Sequence, residues 1–159
     1  HKCREVRAMR ALVVYDSMYG NTQQVAQAVA AALEPDGSVR AVKVDKVSPQ
    51  DLMDLDALVV GSPVQAWRPS KAIQAFLSDL PDKALSGVNA AAFDTRFKSR
   101  LSGSAADKIQ KALRKAGCTI IAPAATFIVL GREGPLADGE LDKATAWAEQ
   151  IQAAVTPAV

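Results

Sequence analysis

Residues 16–22, Asp16-Ser17-Met18-Tyr19-Gly20-Asn21-Thr22, place three hydroxyls and a glycine between an apolar run and a segment of helical period, with no lysine or arginine. A strand-to-helix turn of this kind points backbone N–H groups and the positive end of the helix dipole at one spot, which favours an anion. Ser17, Tyr19 and Thr22 add hydroxyl donors, and Gly20 permits close backbone approach. A phosphate held by neutral donors suits a monoester on a small cofactor. The missing Gly-Lys-Ser/Thr ending excludes an ordinary nucleoside-triphosphate loop. The same residues also suit a plain helix cap formed by Asn21 or Ser17.

A second candidate loop, residues 62–69, follows the most apolar run of the chain and contains Trp67, one of only two tryptophans. An aromatic ring on such a loop can stack on a planar ligand, while Ser62 and the backbone of Pro63, Val64, Gln65 and Ala66 bond its polar rim. The competing reading folds Trp67 back onto the core. A third loop, Asp94-Thr95-Arg96-Phe97, offers polar groups and a second aromatic for the opposite ring face. Phe97 equally suits a seal over the following helix, and Asp94 a turn. Arg68 and Arg96 would stand near the ring and offset negative charge on it. Trp147 falls in an amphipathic helical segment and is assigned to packing.

Other chemistry is excluded by what is missing. His1 is the only histidine, so the body offers no histidine triad or histidine-bound zinc. Cys3 and Cys118 are the only cysteines, too few for a disulfide framework, which fits a reducing, cytoplasmic setting. Cys118 reads as a small buried hydrophobe. No apolar stretch approaches the ~20 residues of a membrane helix. Of 19 Lys and Arg and 17 Asp and Glu, residues 1–8 hold Lys2, Arg4, Arg7 and Glu5, so the remainder carries no net charge. A neutral body argues against nucleic acid as the partner. Residues 1–8 lack periodicity and read as a leader preceding one domain from Met9 to Val159.

The three loops must be positioned by what flanks them. Short β-branched runs alternate with helical periods, the pattern of βαβ units and a parallel sheet, whose ligands bind beyond the carboxyl ends of the strands. Strands are expected at 10–15, 39–44, 57–61, 88–93 and 118–130, the last interrupted by Pro123-Ala124. Helices are expected from about Thr22 to a stop at Pro35-Asp36-Gly37, from Pro69-Ser70 to Pro81, from Ser104 to Gly117, and after Gly139. A short helical turn opens at Ser48-Pro49. Residues 57–60, apolar throughout, suit a strand buried on both faces.

Ser17-Met18-Tyr19-Gly20-Asn21-Thr22 resembles the phosphate loop of the flavodoxin family, written there as Ser/Thr-x-Thr-Gly-x-Thr, with Tyr19 replacing the usual threonine. Ser-Met-Tyr-Gly is also similar to the corresponding loop of flavodoxin-like quinone reductases. Gly61-Ser62-Pro63 followed by Trp67 resembles the loop in which this family places its first flavin-contacting aromatic. The third loop has no tyrosine where the family usually has one. The resemblance runs from Met9 to the last helix and implies an α/β three-layer sandwich, a five-stranded parallel sheet of order 2-1-3-4-5, and non-covalently bound FMN. It also implies electron transfer to redox partner proteins or a quinone-like acceptor. With no long insertion in the fifth strand, the chain is similar to the short-chain type. Carriers in the family are typically acidic, whereas this body is neutral.

Three other readings compete with this one. A small FMN-dependent oxidoreductase acting on a quinone or protoporphyrinogen-type substrate shares every motif above. A receiver-type signalling domain needs an aspartate at the end of the third strand, where Ser62 stands, and an acidic pair after the first, where only Asp16 is found. A flavodoxin-like module without cofactor would have little use for the loop hydroxyls and Trp67.

Overall fold

The run Ala57-Leu58-Val59-Val60 forms the centre of the sheet, as its unbroken apolar character requires. The computed structural model of the chain describes residues 9–34, 38–98 and 104–155. β1 (Ala11–Tyr15) lies between β2 (Arg40–Lys43) and β3 (Ala57–Pro63), and β3 pairs on its other side with β4 (Asn89–Phe97). β5 (Thr119–Ile120) and β6 (Ala125–Val129) both pair with β4, all in parallel. The order is therefore β2-β1-β3-β4-β5, with β6 continuing along the same edge of β4.

Helices cover both faces. α1 (Asn21–Leu33) and α4 (Glu140–Val155) pack on one side, where Val25, Val29 and Leu33 meet Val13, Val59, Phe93 and Phe127. α2 (Lys71–Ser78) and α3 (Ala105–Lys115) pack on the other, where Ile73, Ile109 and Leu113 meet Leu12, Val14, Leu58 and Val60. β1 and residues 57–60 of β3 thus send alternate side chains into two separate cores, with no polar side chain among them before Ser62. The β2–β3 connection uses two 3₁₀ turns rather than an α-helix. In the second, Pro49–Leu52, Ser48 and Asp51 cap each other reciprocally. No helix among the described residues is long and apolar enough to cross a membrane.

One strand boundary needs correction. The fourth strand does not stop at Phe93: it runs to Phe97, with Asp94 and Thr95 registered against Ser62 and Pro63, and Asp94 to Phe97 registered against β6. The proposed third loop is therefore strand. Its polar residues look like loop in sequence, but the ladder satisfies their backbone, and Asp94 finds its partners on α3. The fifth strand is interrupted as expected around Pro123, which lacks the N–H that continuous pairing needs, and so forms β5 and β6. The expected leader 1–8 and the helix stop at Pro35-Asp36-Gly37 lie outside the described residues.

Candidate functional site

Where β1, β3, β4 and β6 end, a cavity of about 480 Å³ opens at the carboxyl edge of the sheet. That volume is within the ~300–1,000 Å³ of small-molecule sites. Ser17, Met18, Tyr19, Asn21 and Thr22 line it from the first loop, Pro63 to Trp67 from the second, and Thr95, Arg96 and Phe97 from the end of β4. Val129 and Arg132 complete it.

The first loop ends in Gly20, held at φ 92° directly before α1, and no side chain caps that helix. Asn21 and Ser17 are therefore not helix caps. The earliest helical bond from this turn is Gln24 N–H to Gly20 O at 3.1 Å, which leaves the first-turn amides directed at the cavity end. Ser17 Oγ accepts the Gly20 N–H at 3.0 Å, and Asp16 Oδ1 accepts the Ser17 N–H at 3.0 Å. The Ser17 hydroxyl keeps its own proton to donate. The Thr22 hydroxyl is 2.8 Å from that of Thr95 and buried with it, tying the start of α1 to the end of β4. Asn21 is buried against the loop after β6, where a Cβ at Gly134 would come within 2.6 Å of Asn21 Oδ1. Arg132, in that loop, supplies the cation that residues 16–22 lack.

The second loop is a tight hairpin. Gln65 and Arg68 exchange backbone hydrogen bonds of 2.8 and 3.0 Å, and Ala66 and Trp67 between them both adopt positive φ, 50° and 64°. Paired left-handed residues in a two-residue connection are the geometry of a type I′ turn, which favours glycine or asparagine. Without either, the backbone here is strained. The turn drives Trp67 outward, 57% exposed, and Lys108 Nζ donates to its carbonyl oxygen at 3.0 Å. Phe97, 46% exposed, stands at the end of β4 across the same mouth.

Two site candidates serve the scaffold instead of lining the cavity. Ser62 is wholly buried; its Oγ accepts the Ser70 N–H at 2.8 Å and donates to Pro63 O at 2.9 Å, pinning the loop shut between its two ends. Asp94 is also wholly buried, and its Oδ2 accepts the Ala105 and Ala106 N–H groups at 3.0 and 2.9 Å, holding the start of α3. Trp147 sits in the core edge-on to Phe93 and Phe127, with Nε1 donating to Pro123 O at 3.0 Å. Burial pushes the Cys118 thiol up to about 11.

The sequence reading missed Val129 and Arg132. Val129 ends β6, and the loop after it, which holds Arg132, has none of the hydroxyls that marked the others; its one signal was a cation between two glycines, Gly131 and Gly134.

Residues 13–155 match the profile of the Flavodoxin family. Among solved structures, a flavodoxin from the domain Archaea is similar, at 24% identity with TM-score 0.78, over 92% of this chain and 99% of its own. Flavodoxin 1 from Bacillus cereus follows at 17% identity and TM-score 0.74, over 88% of this chain and 95% of its own. Two-electron reduced flavodoxin of Megasphaera elsdenii has 24% identity and TM-score 0.67, over 88% and 98%. At such identities the structural likeness establishes the fold alone. No curated protein matches the chain.

Proposed function

The chain belongs to the flavodoxin family, and on that premise we propose that its cavity holds FMN and that the protein passes electrons through it to redox partner proteins. One observation carries this reading: a single cavity joins the uncapped start of α1 to two aromatic side chains, Trp67 and Phe97, at its mouth. The donor set fits the group. Ser17, Thr22 and the first-turn amides would take the phosphate; Trp67 and Phe97 would flank the ring; the Ala66 N–H would meet its polar rim, since the Val64 and Gln65 N–H groups already donate to Thr95 O and Arg68 O.

Bound flavin supplies the one- and two-electron chemistry, and the protein supplies position and field. Among the described residues no carboxylate or histidine lines the cavity, so none of these places a general acid or base of that kind beside the ring. A proton accompanying reduction therefore exchanges with water at the open mouth. Arg96 and Arg132 line the cavity and favour negative charge within it. These features suit an electron carrier better than acid–base catalysis. The cytoplasmic setting expected from the cysteine content belongs to the same proposal.

Titrating purified apoprotein with FMN tests it. Saturable one-to-one binding, with quenching of flavin fluorescence and a perturbed visible spectrum, is the expected result; no binding at micromolar concentrations overturns it. One feature favours a second reading, a quinone-reducing enzyme: Met18 and Tyr19 leave an exposed apolar rim beside the mouth, able to receive a small ring. Rapid oxidation of NAD(P)H by a quinone without a partner protein would select it.

A further inference from the structure

Among the described residues, five of the large hydrophobic side chains that stay exposed, Met18, Tyr19, Trp67, Phe97 and Leu130, stand on the loops and strand ends around one cavity mouth. Exposed apolar groups gathered this way mark an interaction surface. The charges beside Trp67 and Phe97 have one dominant sign. Arg68 and Lys98 adjoin the two aromatics in sequence, and Lys108 reaches the Trp67 carbonyl. All three are exposed, and none forms an ion pair with a described residue. Asp107 is the acid nearest them on α3. That helix continues the bias with four cations against this one acid. Between α2 and α3 a groove of about 460 Å³ runs away from the Trp67 loop, with Arg68, Lys108 and Lys115 against Asp82. On the opposite side of the sheet, α4 carries Glu140, Asp142 and Glu149 against Lys143. Although the body carries no net charge, the flank of the mouth formed by Arg68, Lys98 and α3 is locally basic.

Resting on the proposed flavin site, we propose that the Trp67–Phe97 face with its Arg68, Lys98 and Lys108 flank docks an acidic redox protein. The apolar centre would exclude water between the two redox groups. The cations would steer the encounter and fix its orientation, since charge complementarity acts mainly on association rate and register. Cations that no described carboxylate neutralises are available to a partner's carboxylates.

The test uses the FMN-loaded, fully reduced protein and two haem proteins of opposite charge, acidic cytochrome b5 and basic cytochrome c, mixed rapidly at increasing salt. Two ferric haems are reduced for each flavin reoxidised, with the protons released to water. Reduction of cytochrome b5 is expected to slow by roughly tenfold or more as salt rises from low to physiological strength. Reduction of cytochrome c should accelerate over the same range. An Arg68→Glu/Lys98→Glu pair should flatten or invert the first dependence, while Lys83→Glu, at the amino edge of the sheet, leaves it unchanged. A cytochrome b5 rate indifferent to salt, or rising with it, overturns the docking proposal while flavin absorbance keeps the cofactor reading intact. A salt-sensitive dimer in sedimentation, lost in the Arg68→Glu/Lys98→Glu pair, would assign the face to a second copy and overturn it too. Absence of bound flavin removes both readings together.

Discussion

Gly61 lies against the ring of Phe93, its register partner on β4, so closely that a Cβ at position 61 would fall inside the van der Waals radii of three ring atoms. Phe93 has nowhere to go: it is wholly buried, edge-on to Phe127 at 5.8 Å and to Trp147 at 5.9 Å. Gly61 also precedes the loop that carries Trp67, so a shift here reaches the site. Gly61→Ala should cost about 1–3 kcal/mol in denaturant unfolding, the usual range for overpacking a tight core. Adding Phe93→Leu to make room should recover part of that loss. Full stability of the single variant would mean that the ring yields.

Gly20 has a different role. Nothing lies within 4 Å of a Cβ built there, yet its φ is 92°. Gly20→Val therefore strains the turn without a steric clash. It should weaken FMN binding by disturbing the amides it aligns, and Thr22→Ala should weaken it by cutting the tie to Thr95. Competition titrations with FMN read both variants, and unchanged affinity in both would remove this loop from the site.

Arg132 distinguishes the phosphate from the ring. Arg132→Gln should reduce FMN affinity by about tenfold, the effect of losing roughly 1.5 kcal/mol of charge-assisted hydrogen bonding, and leave riboflavin binding nearly unchanged. Equal losses for both ligands would place the guanidinium at the ring instead.

The layered α/β fold was legible because β1, β3 and the helices follow simple periodicities, and the loop at residues 16–22 was legible because hydroxyls and glycine gather where a helix begins. Asp94 to Phe97 was misread as loop because strand propensity is a matter of context: polar residues extend a central strand when neighbouring backbone pairs with them. Ser62 and Asp94 were read as cofactor contacts because a hydroxyl or carboxylate at the binding edge has no sequence mark separating ligand bonds from bonds to a helix start. The positive φ at Ala66 and Trp67 was hidden for a related reason, since neither residue is a usual turn former. Arg132 reaches the same cavity from the loop whose Gly134 packs on Asn21, a relation that only the folded chain shows.

The strained turn is itself testable. Ala66→Gly relieves one left-handed residue and should stabilise the fold or leave it unchanged, within about 1 kcal/mol. Trp67 fluorescence, measured in a Trp147→Phe background, should be quenched on FMN binding. Unquenched emission at saturation would separate Trp67 from the ring.

Cys118 gives a pH dependence. Burial raises its thiol from 9.0 to about 11, so the unfolded chain ionises first as pH rises. The stability linked to the neutral thiol is complete below about pH 9 and is lost as pH rises toward 11. Chemical denaturation from pH 8 to 11 should show a decline that Cys118→Ala makes shallower. In a Cys3→Ser background at neutral pH the native Cys118 thiol should resist aromatic disulfide reagents, and rapid labelling without unfolding would contradict its burial.

Arg96 bears on what the protein does to its cofactor. It lines the cavity at the end of β4. A guanidinium at this place stabilises the more negative, reduced form, so reversing it should make reduction harder. Arg96→Glu is therefore expected to lower the midpoint potential of bound FMN, where each 1.4 kcal/mol lost in the two-electron couple is about 30 mV. Arg68 lies outside the cavity and exposed, so Arg68→Glu should move the potential far less while still altering salt-dependent exchange with a partner. Stepwise reduction of wild type and both variants, followed by absorbance against reference dyes, measures the difference. Equal midpoints for wild type and Arg96→Glu would show that the field at the ring is set by the backbone of residues 63–66 and by solvent.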